Sequence, residues 1–331
     1  MLTGKELILA TRPYARENRV KSWVYTLATF SLLTVDFFAI LFVPYLAVRI
    51  VCSILMGLLM VRMFIIYHDY EHHAILNRSI PAKILMPVYG AMVLAPQSIW
   101  KRSHDHHHKH NSKLFTTSIG SYRVLTKNKF LSLSKKEQRA YLASRHPLTI
   151  LFGYFTTFIY GMCWESFRSN PRKHYDSLLA LVGHLLVSVA VIWYLGWLTW
   201  LLAIFYPFFF NGALGAYLFY AQHNFPGVVF SDNGEWCYEK AALESSSFMD
   251  LNPIMHWFTG NIGYHHIHHL NARIPFYRLP EVMARISELQ HPKVTTLNPK
   301  DIIACLKLKV WDQEGGAMVS LDDAEASLMP A

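Results

Sequence analysis

"WKRSHDHHHKHN", Trp100–Asn111, sets five histidines in twelve residues. Two other stretches share the habit: "YHDYEHH" at Tyr67–His73 and "GYHHIHHL" at Gly263–Leu270. Eight of the eighteen histidines lie between His68 and His110, and four between His265 and His269. What lies between these clusters decides the fold, because each one follows or precedes a long apolar run.

A helix needs about 20 mostly apolar residues to cross a bilayer. Four runs qualify: about Trp23–Val43, Leu46–Tyr67, Ser177–Leu195 and Trp197–Tyr220. The first is joined to the second, and the third to the fourth, by almost no loop. Each pair therefore reads as a hairpin across the membrane. Two weaker runs, Ile84–Trp100 and Pro147–Cys163, are shorter, and Pro87 and Pro96 interrupt the first of them. They are expected to lie in the interface.

Composition agrees with a membrane protein. Of 331 residues, 53% are hydrophobic and 16% charged, against about 25% charged in soluble domains. The formal net charge is +9. A basic excess suits nucleic acid or an anionic membrane surface; with this hydrophobicity the membrane is favoured, and no nucleic-acid motif is present. The four cysteines form no CxxC pair, which speaks against a disulfide framework or a thiolate metal site. Of the 31 Lys and Arg, 29 lie outside the four runs, Arg49 and Arg62 being the exceptions. They fall before Trp23, between His68 and Asp176, and after Tyr220. By the positive-inside rule, both termini and all three histidine clusters are cytoplasmic. The expected architecture is all-α: two transmembrane hairpins, interfacial helices and a cytoplasmic helical cap. Residues 1–22 form an amphipathic segment, 23–310 the membrane domain, and 311–331, poor in bulky apolar residues, a disordered tail.

Spacing within the clusters points to metal. His68 and His72 are four apart, on one face of a helix continuing the second span. His104, His107 and His108 read HxxHH, and His265, His268 and His269 repeat it. One HxxxH is common by chance, but three such clusters on one side of one membrane are not. Eight imidazoles overfill one tetrahedral centre, so two metals are the economical reading. Nitrogen-rich sites suit iron, zinc, copper or nickel, and spacing alone does not choose. One shared site also constrains topology: if Ile84–Trp100 crossed the bilayer, the second cluster would be stranded opposite the first. A rival register through His106 and His110 stays open.

HxxxH, HxxHH and HxxHH among four spans resemble the integral-membrane fatty acid desaturases and their hydroxylase relatives. "SHDHHHKHN" looks like that family's second box, with Ser103 and Asn111 in place, and "HHIHHLNARIPFYRLPE", His265–Glu281, looks like the third box and its I-P-x-Y sequel. The resemblance covers about His68 to Glu281. It implies a centre of two iron ions that uses O2 to remove hydrogen from neighbouring methylenes of an acyl chain, leaving a cis double bond. The substrate would be lipid-, CoA- or carrier-protein-linked. The family often adds a ligand after the fourth span, which makes His223 in "YAQHNFPG" a candidate. Asn261, four before His265, could reach a metal directly or through water.

Asp69 and Asp105 are candidates to accept the second ring N–H of a ligand histidine. His73, His106 and His266 are expected in supporting or surface roles, and His184 as a hydrogen-bonding group inside the third span. No haem-binding HPGG is present, so electrons are expected from a separate protein of ferredoxin, rubredoxin or cytochrome b5 type, docking on the basic cytoplasmic face. The location would be a bacterial inner membrane or its equivalent. A hydroxylase or ketolase acting on a hydrocarbon, sphingolipid or carotenoid is the nearest alternative. A metal transporter fits less well, since transporters hold their ligands near the bilayer midplane.

Overall fold

The computed structural model describes residues 2–114, 122–231 and 234–326. Four helices are long and apolar enough to cross a membrane: Arg19–Phe42, Leu46–Glu71, Tyr175–Leu195 and Trp197–Ala221. The fold is all-α and integral to the membrane. Its only sheets among the described residues are two-stranded: Phe248–Asp250 runs parallel to Val294–Thr296, and Val310–Asp312 antiparallel to Ala317–Val319.

Local chemistry sets the span limits. Asn18 caps the first span by accepting from the Lys21 N–H at 3.0 Å, and the chain before Pro44 turns out of helix at Val43. The second span has 26 residues, about 39 Å of helix against a hydrocarbon core of about 30 Å. The surplus carries His68 out of the bilayer at its end. Arg49 ties the two hairpins together near their tips, donating to the Ile40 carbonyl and the Thr199 hydroxyl, both at 2.7 Å. Arg62 is likewise satisfied, by Thr29 Oγ1 at 3.2 Å, the Trp257 carbonyl and the Trp257 ring. Both intramembrane arginines thus join helices.

Neither of the shorter apolar runs forms one of these four helices. Ile80–Met92 has 13 residues, about 20 Å of helix. It exposes the stripe Ile80, Ile84, Val88 and Met92 and buries Ala82, Met86, Tyr89 and Gly90, as a helix lying against the bundle must. The chain then breaks, and a new helix, Gln97–His110, begins after Pro96. In the second case a short helix, Pro147–Leu151, leads into a wider-wound one, Tyr154–Glu165. Its close approach to the fourth span requires glycine on both sides. A Cβ on Gly153 would stand 2.5 Å from the Gly212 carbonyl oxygen, and one on Gly212 2.6 Å from the Tyr154 nitrogen. His184 takes the hydrogen-bonding role expected of it: its Nε2 meets Tyr154 Oη at 2.6 Å, linking this segment to the third span.

Of the terminal segments, the C-terminal one departs from expectation. The N-terminal helix, Gly4–Thr11, packs Leu7 into a core with Ile267, Leu270, Leu279, Val282 and Leu289, beneath the third histidine cluster. The tail is not disordered from residue 311. Val310–Asp312 and Ala317–Val319 form a hairpin, and Leu321–Ala326 a helix. The few apolar residues suffice because they are aimed inward: Trp311 and Met318 are buried in the main core, and the Trp311 N–H donates to the Leu125 carbonyl at 2.9 Å. Residues 327–331 lie outside the described residues.

Candidate metal centre

Three helices deliver the clusters. His68 ends the second span, with His72 at its C-cap. His104, His107 and His108 sit on Gln97–His110, and His265, His268 and His269 on the six-residue helix His265–Leu270. His223 follows the fourth span in a turn. Together they make two groups. One holds His68, His72, His104, His108 and His268, the other His107, His223, His265 and His269, and within each group the ligand nitrogens lie within 4.8 Å of one another.

Helix geometry explains the division. Successive residues turn about 100°, so i and i+4 lie about 40° apart while i+3 falls about 60° to the other side. The pairs His68/His72, His104/His108 and His265/His269 therefore each serve one group. His107 and His268, the remaining members of their boxes, cross to the other. Boxes two and three thus each feed both groups.

In the four-membered group the Nε2 atoms form a closed ring. His107 to His223 is 3.0 Å, His223 to His265 2.9 Å, His265 to His269 3.1 Å and His269 to His107 3.2 Å. These four contacts cannot all be hydrogen bonds. A neutral Nε2 carries either a proton or a lone pair, never both, so at most two of the four contacts can be hydrogen bonds. A shared cation satisfies all four lone pairs. In the other group His108 Nε2 lies 3.2 Å from His104 Nε2 and 3.0 Å from His268 Nε2. The donor sets fit metal.

Burial keeps the rings ready. It pushes His72, His104, His107, His108, His265, His268 and His269 well below the ordinary imidazole range, and brings His223 down to about 4. Neighbouring imidazoles reinforce the effect for the first seven. Ligand histidines must be neutral, and these are neutral at physiological pH.

Supporting groups fix the framework. Asp69 Oδ1 is 3.1 Å from His68 Nδ1, and its Oδ2 accepts from the Phe276 N–H at 2.6 Å. One carboxylate thus aligns a ring of the first box and grips the I-P-x-Y sequel of the third. His223 Nδ1 faces the Ser245 carbonyl at 2.9 Å. Asn111 Nδ2 donates to the Ala241 carbonyl and Ser246 Oγ, anchoring the end of the second-box helix.

Not every expected residue takes its place. Asp105 faces Lys101 at 3.4 Å on the outer side of the helix and serves no ligand ring, because i+1 from His104 points away from the shared face. His106 and His110 stack on each other at 4.1 Å outside both groups, which closes the rival register. His266 turns to the Leu289 carbonyl at 3.2 Å. Asn261 has positive φ and donates from Nδ2 to the Phe276 carbonyl at 3.1 Å, so its amide is engaged with the third-box sequel. One residue escaped sequence reading. Asp176, at the start of the third span, caps the second-box helix by accepting from the Ser98 N–H at 3.0 Å and its Oγ at 2.6 Å. Its acid just before an apolar run was the only signal.

An apolar cavity opens on the site. His68, His104 and His265 stand at its head, and Phe158, Met162 and Leu218 line its walls. Trp100 stacks on His104 with ring centroids 4.7 Å apart, sealing that flank.

Comparison with known proteins points the same way as this site. The family model for fatty acid desaturase matches residues 44–300. Over 96% of its length the chain is 28% identical to a fatty acid desaturase of Bacillus subtilis (strain 168), covering 90% of that protein. It is 23% identical to the sn-1 oleoyl-lipid 12-desaturase of Anabaena variabilis, over 82% of this chain and 78% of the relative. It is 22% identical to the Delta(12) fatty acid desaturase of Mortierella alpina, over 71% and 66%. The relatives support a fatty acid desaturase activity, an acyl substrate and a lipid environment. With its spans and its clustered histidines, the chain belongs to the fatty acid desaturase family.

Proposed function

We propose that the chain is an O2-dependent fatty acyl desaturase that holds two iron ions, one in each imidazole group, and introduces a cis double bond. The observation that carries this is the meeting of nine convergent imidazoles with the head of an apolar cavity. His68, His72, His104, His108 and His268 would hold one ion, and His107, His223, His265 and His269 the other. Bound there, iron supplies the redox chemistry with O2 that no side chain can perform on an unactivated C–H bond.

The protein's own residues do the rest. Phe158, Met162 and Leu218 give the acyl chain a dry, shaped path and keep water from the reacting carbons. His68, His104 and His265 bring the imidazole groups to the wall of that path, so a methylene lying there passes both. Asp69 and the Ser245 carbonyl set the rotation of His68 and His223. Electrons come from a separate acidic carrier of ferredoxin, rubredoxin or cytochrome b5 type, attracted by the Lys and Arg of the cytoplasmic side. Both termini and the histidines face the cytoplasm of a bacterial inner membrane or its equivalent.

The test is expression in a bacterial host with a compatible reductase and ferredoxin, followed by gas chromatography–mass spectrometry of total fatty acids. A new acid two hydrogens lighter, absent with His107→Ala, is the expected result. A product heavier by one oxygen would replace desaturation by hydroxylation.

A further inference from the structure

Beside the apolar cavity lies a second one of opposite character. Arg145, Lys113, His106 and Asn224 are among its lining residues, with the candidate ligands His107 and His223; no Asp or Glu is among the described lining residues, and it shares Tyr122 and Phe219 with the apolar cavity. Arg145 is its unusual member. The side chain is 0% exposed. Nη1 donates to the Arg123 carbonyl at 3.1 Å, and Nη2 to Asn224 Oδ1 and, at 3.5 Å, to the Tyr220 hydroxyl. The guanidinium lies over the Tyr220 and Tyr141 rings. Every one of these partners is neutral. Nε is buried and has no partner, and no carboxylate pairs with Arg145 among the described residues.

A buried charge is costly unless it meets a counter-charge. Lysine or histidine could shed a proton to escape that cost, but a guanidinium cannot. Among the described residues Arg145 therefore lacks a counter-charge, and its unpartnered Nε belongs to a planar fork suited to oxyanions. Tyr122 and Phe219 stand where the polar cavity meets the apolar one, so one ligand with an anionic head and an apolar tail would occupy both.

We propose that the polar cavity receives the anionic head of the acyl donor, a phosphodiester or a carboxylate, with Arg145 as its main partner. The chain then passes Tyr122 and Phe219 into the apolar cavity. Arg145 sets which acyl donors are accepted and how far along the chain the reacting carbons fall. The proposal rests on the acyl-desaturase reading above.

The metal-loaded protein in maltoside micelles, free of phospholipid, is offered three guests with the same palmitoyl chain: phosphatidylglycerol, free palmitic acid and neutral diacylglycerol. Retained lipid is read by native mass spectrometry, and new double bonds by gas chromatography after adding the electron donor. One anionic guest should be retained over the neutral one by at least about tenfold, the scale of one charge-assisted hydrogen bond. The guest that wins identifies the oxyanion. Arg145→Gln should bring the ratio towards one, and Arg145→Lys should restore part of it. Equal retention of charged and neutral guests by the unaltered protein overturns the proposal, whether or not Arg145→Gln folds. So does a folded Arg145→Gln protein that keeps the full ratio, which would make Arg145 a structural tie. Retention needs no turnover: selective retention without any desaturation refutes the activity and leaves the site standing, while desaturation without selectivity refutes the site alone.

Discussion

The two imidazole groups share the second-box and third-box helices but are not held equally. The five-membered group takes His68 and His72 from the end of a 26-residue span and clamps His68 through Asp69. The four-membered group has no ligand on a span helix. Its members come from the second-box helix, a six-residue helix and the turn at His223, whose ring is set by a backbone carbonyl. One group is rooted in the membrane and has a ligand to spare; the other is assembled by the cap and has none. The loss of one ligand should therefore cost them different amounts.

The largest effect is expected where no spare exists. His265→Ala opens the ring of four Nε2 atoms at two contacts and leaves three ligands. Purified protein should fall from two irons towards one by elemental analysis, with desaturation lost. Two retained irons would break the assignment of His265 to a group of its own. His72→Ala is the matching change in the five-membered group, and four imidazoles remain. Iron should fall less than in His265→Ala under the same chelator challenge, and some activity should survive. If the two variants lose iron equally, the asymmetry drawn here has no functional content.

These differences also mark what the sequence could and could not tell. The eight box histidines and the four spans were legible because each is a local pattern: 3.6-residue periodicity, i and i+4 spacing, about 20 apolar residues in a row. The break of the Ile84–Trp100 run into two helices was signalled by Pro96. The partition into two groups was not legible, since it depends on which way facing helices turn their i+3 residues. Nor was the ordered hairpin at 310–319, because a disorder reading counts apolar residues and cannot see that Trp311 and Met318 share a buried face. Asp105 looked equivalent to Asp69 in sequence, yet only Asp69 has a buried ring and a backbone N–H from residue 276 within reach.

Asp69 sharpens the comparison at a smaller scale. Asp69→Asn keeps the shape but removes the charge that orients His68. Outer hydrogen-bond partners of metal ligands are worth about 10–100-fold in metal affinity or activity, so iron retention in the five-membered group should weaken within that range. His265, in the other group, should be unaffected, and a spectroscopic probe of the two sites should show one perturbed. Full iron content and unchanged activity would mean that packing alone orients His68.

The smallest effect is expected at Asp176, which serves both groups at once and belongs to neither. Its carboxylate takes the Ser98 N–H and hydroxyl at the start of the second-box helix, where a negative charge also meets the positive end of the helix dipole. That helix gives His104 and His108 to one group and His107 to the other. Loss of a cap costs about 1 kcal/mol, which frays one turn without unfolding the bundle, and the ligands lie a turn or more further on. Asp176→Ala should therefore lower thermal stability by a few degrees at most and reduce iron in both groups by similar, modest fractions. A loss confined to one group would show that the second-box helix does not move as a rigid unit, and that the two sites are tuned separately along its length.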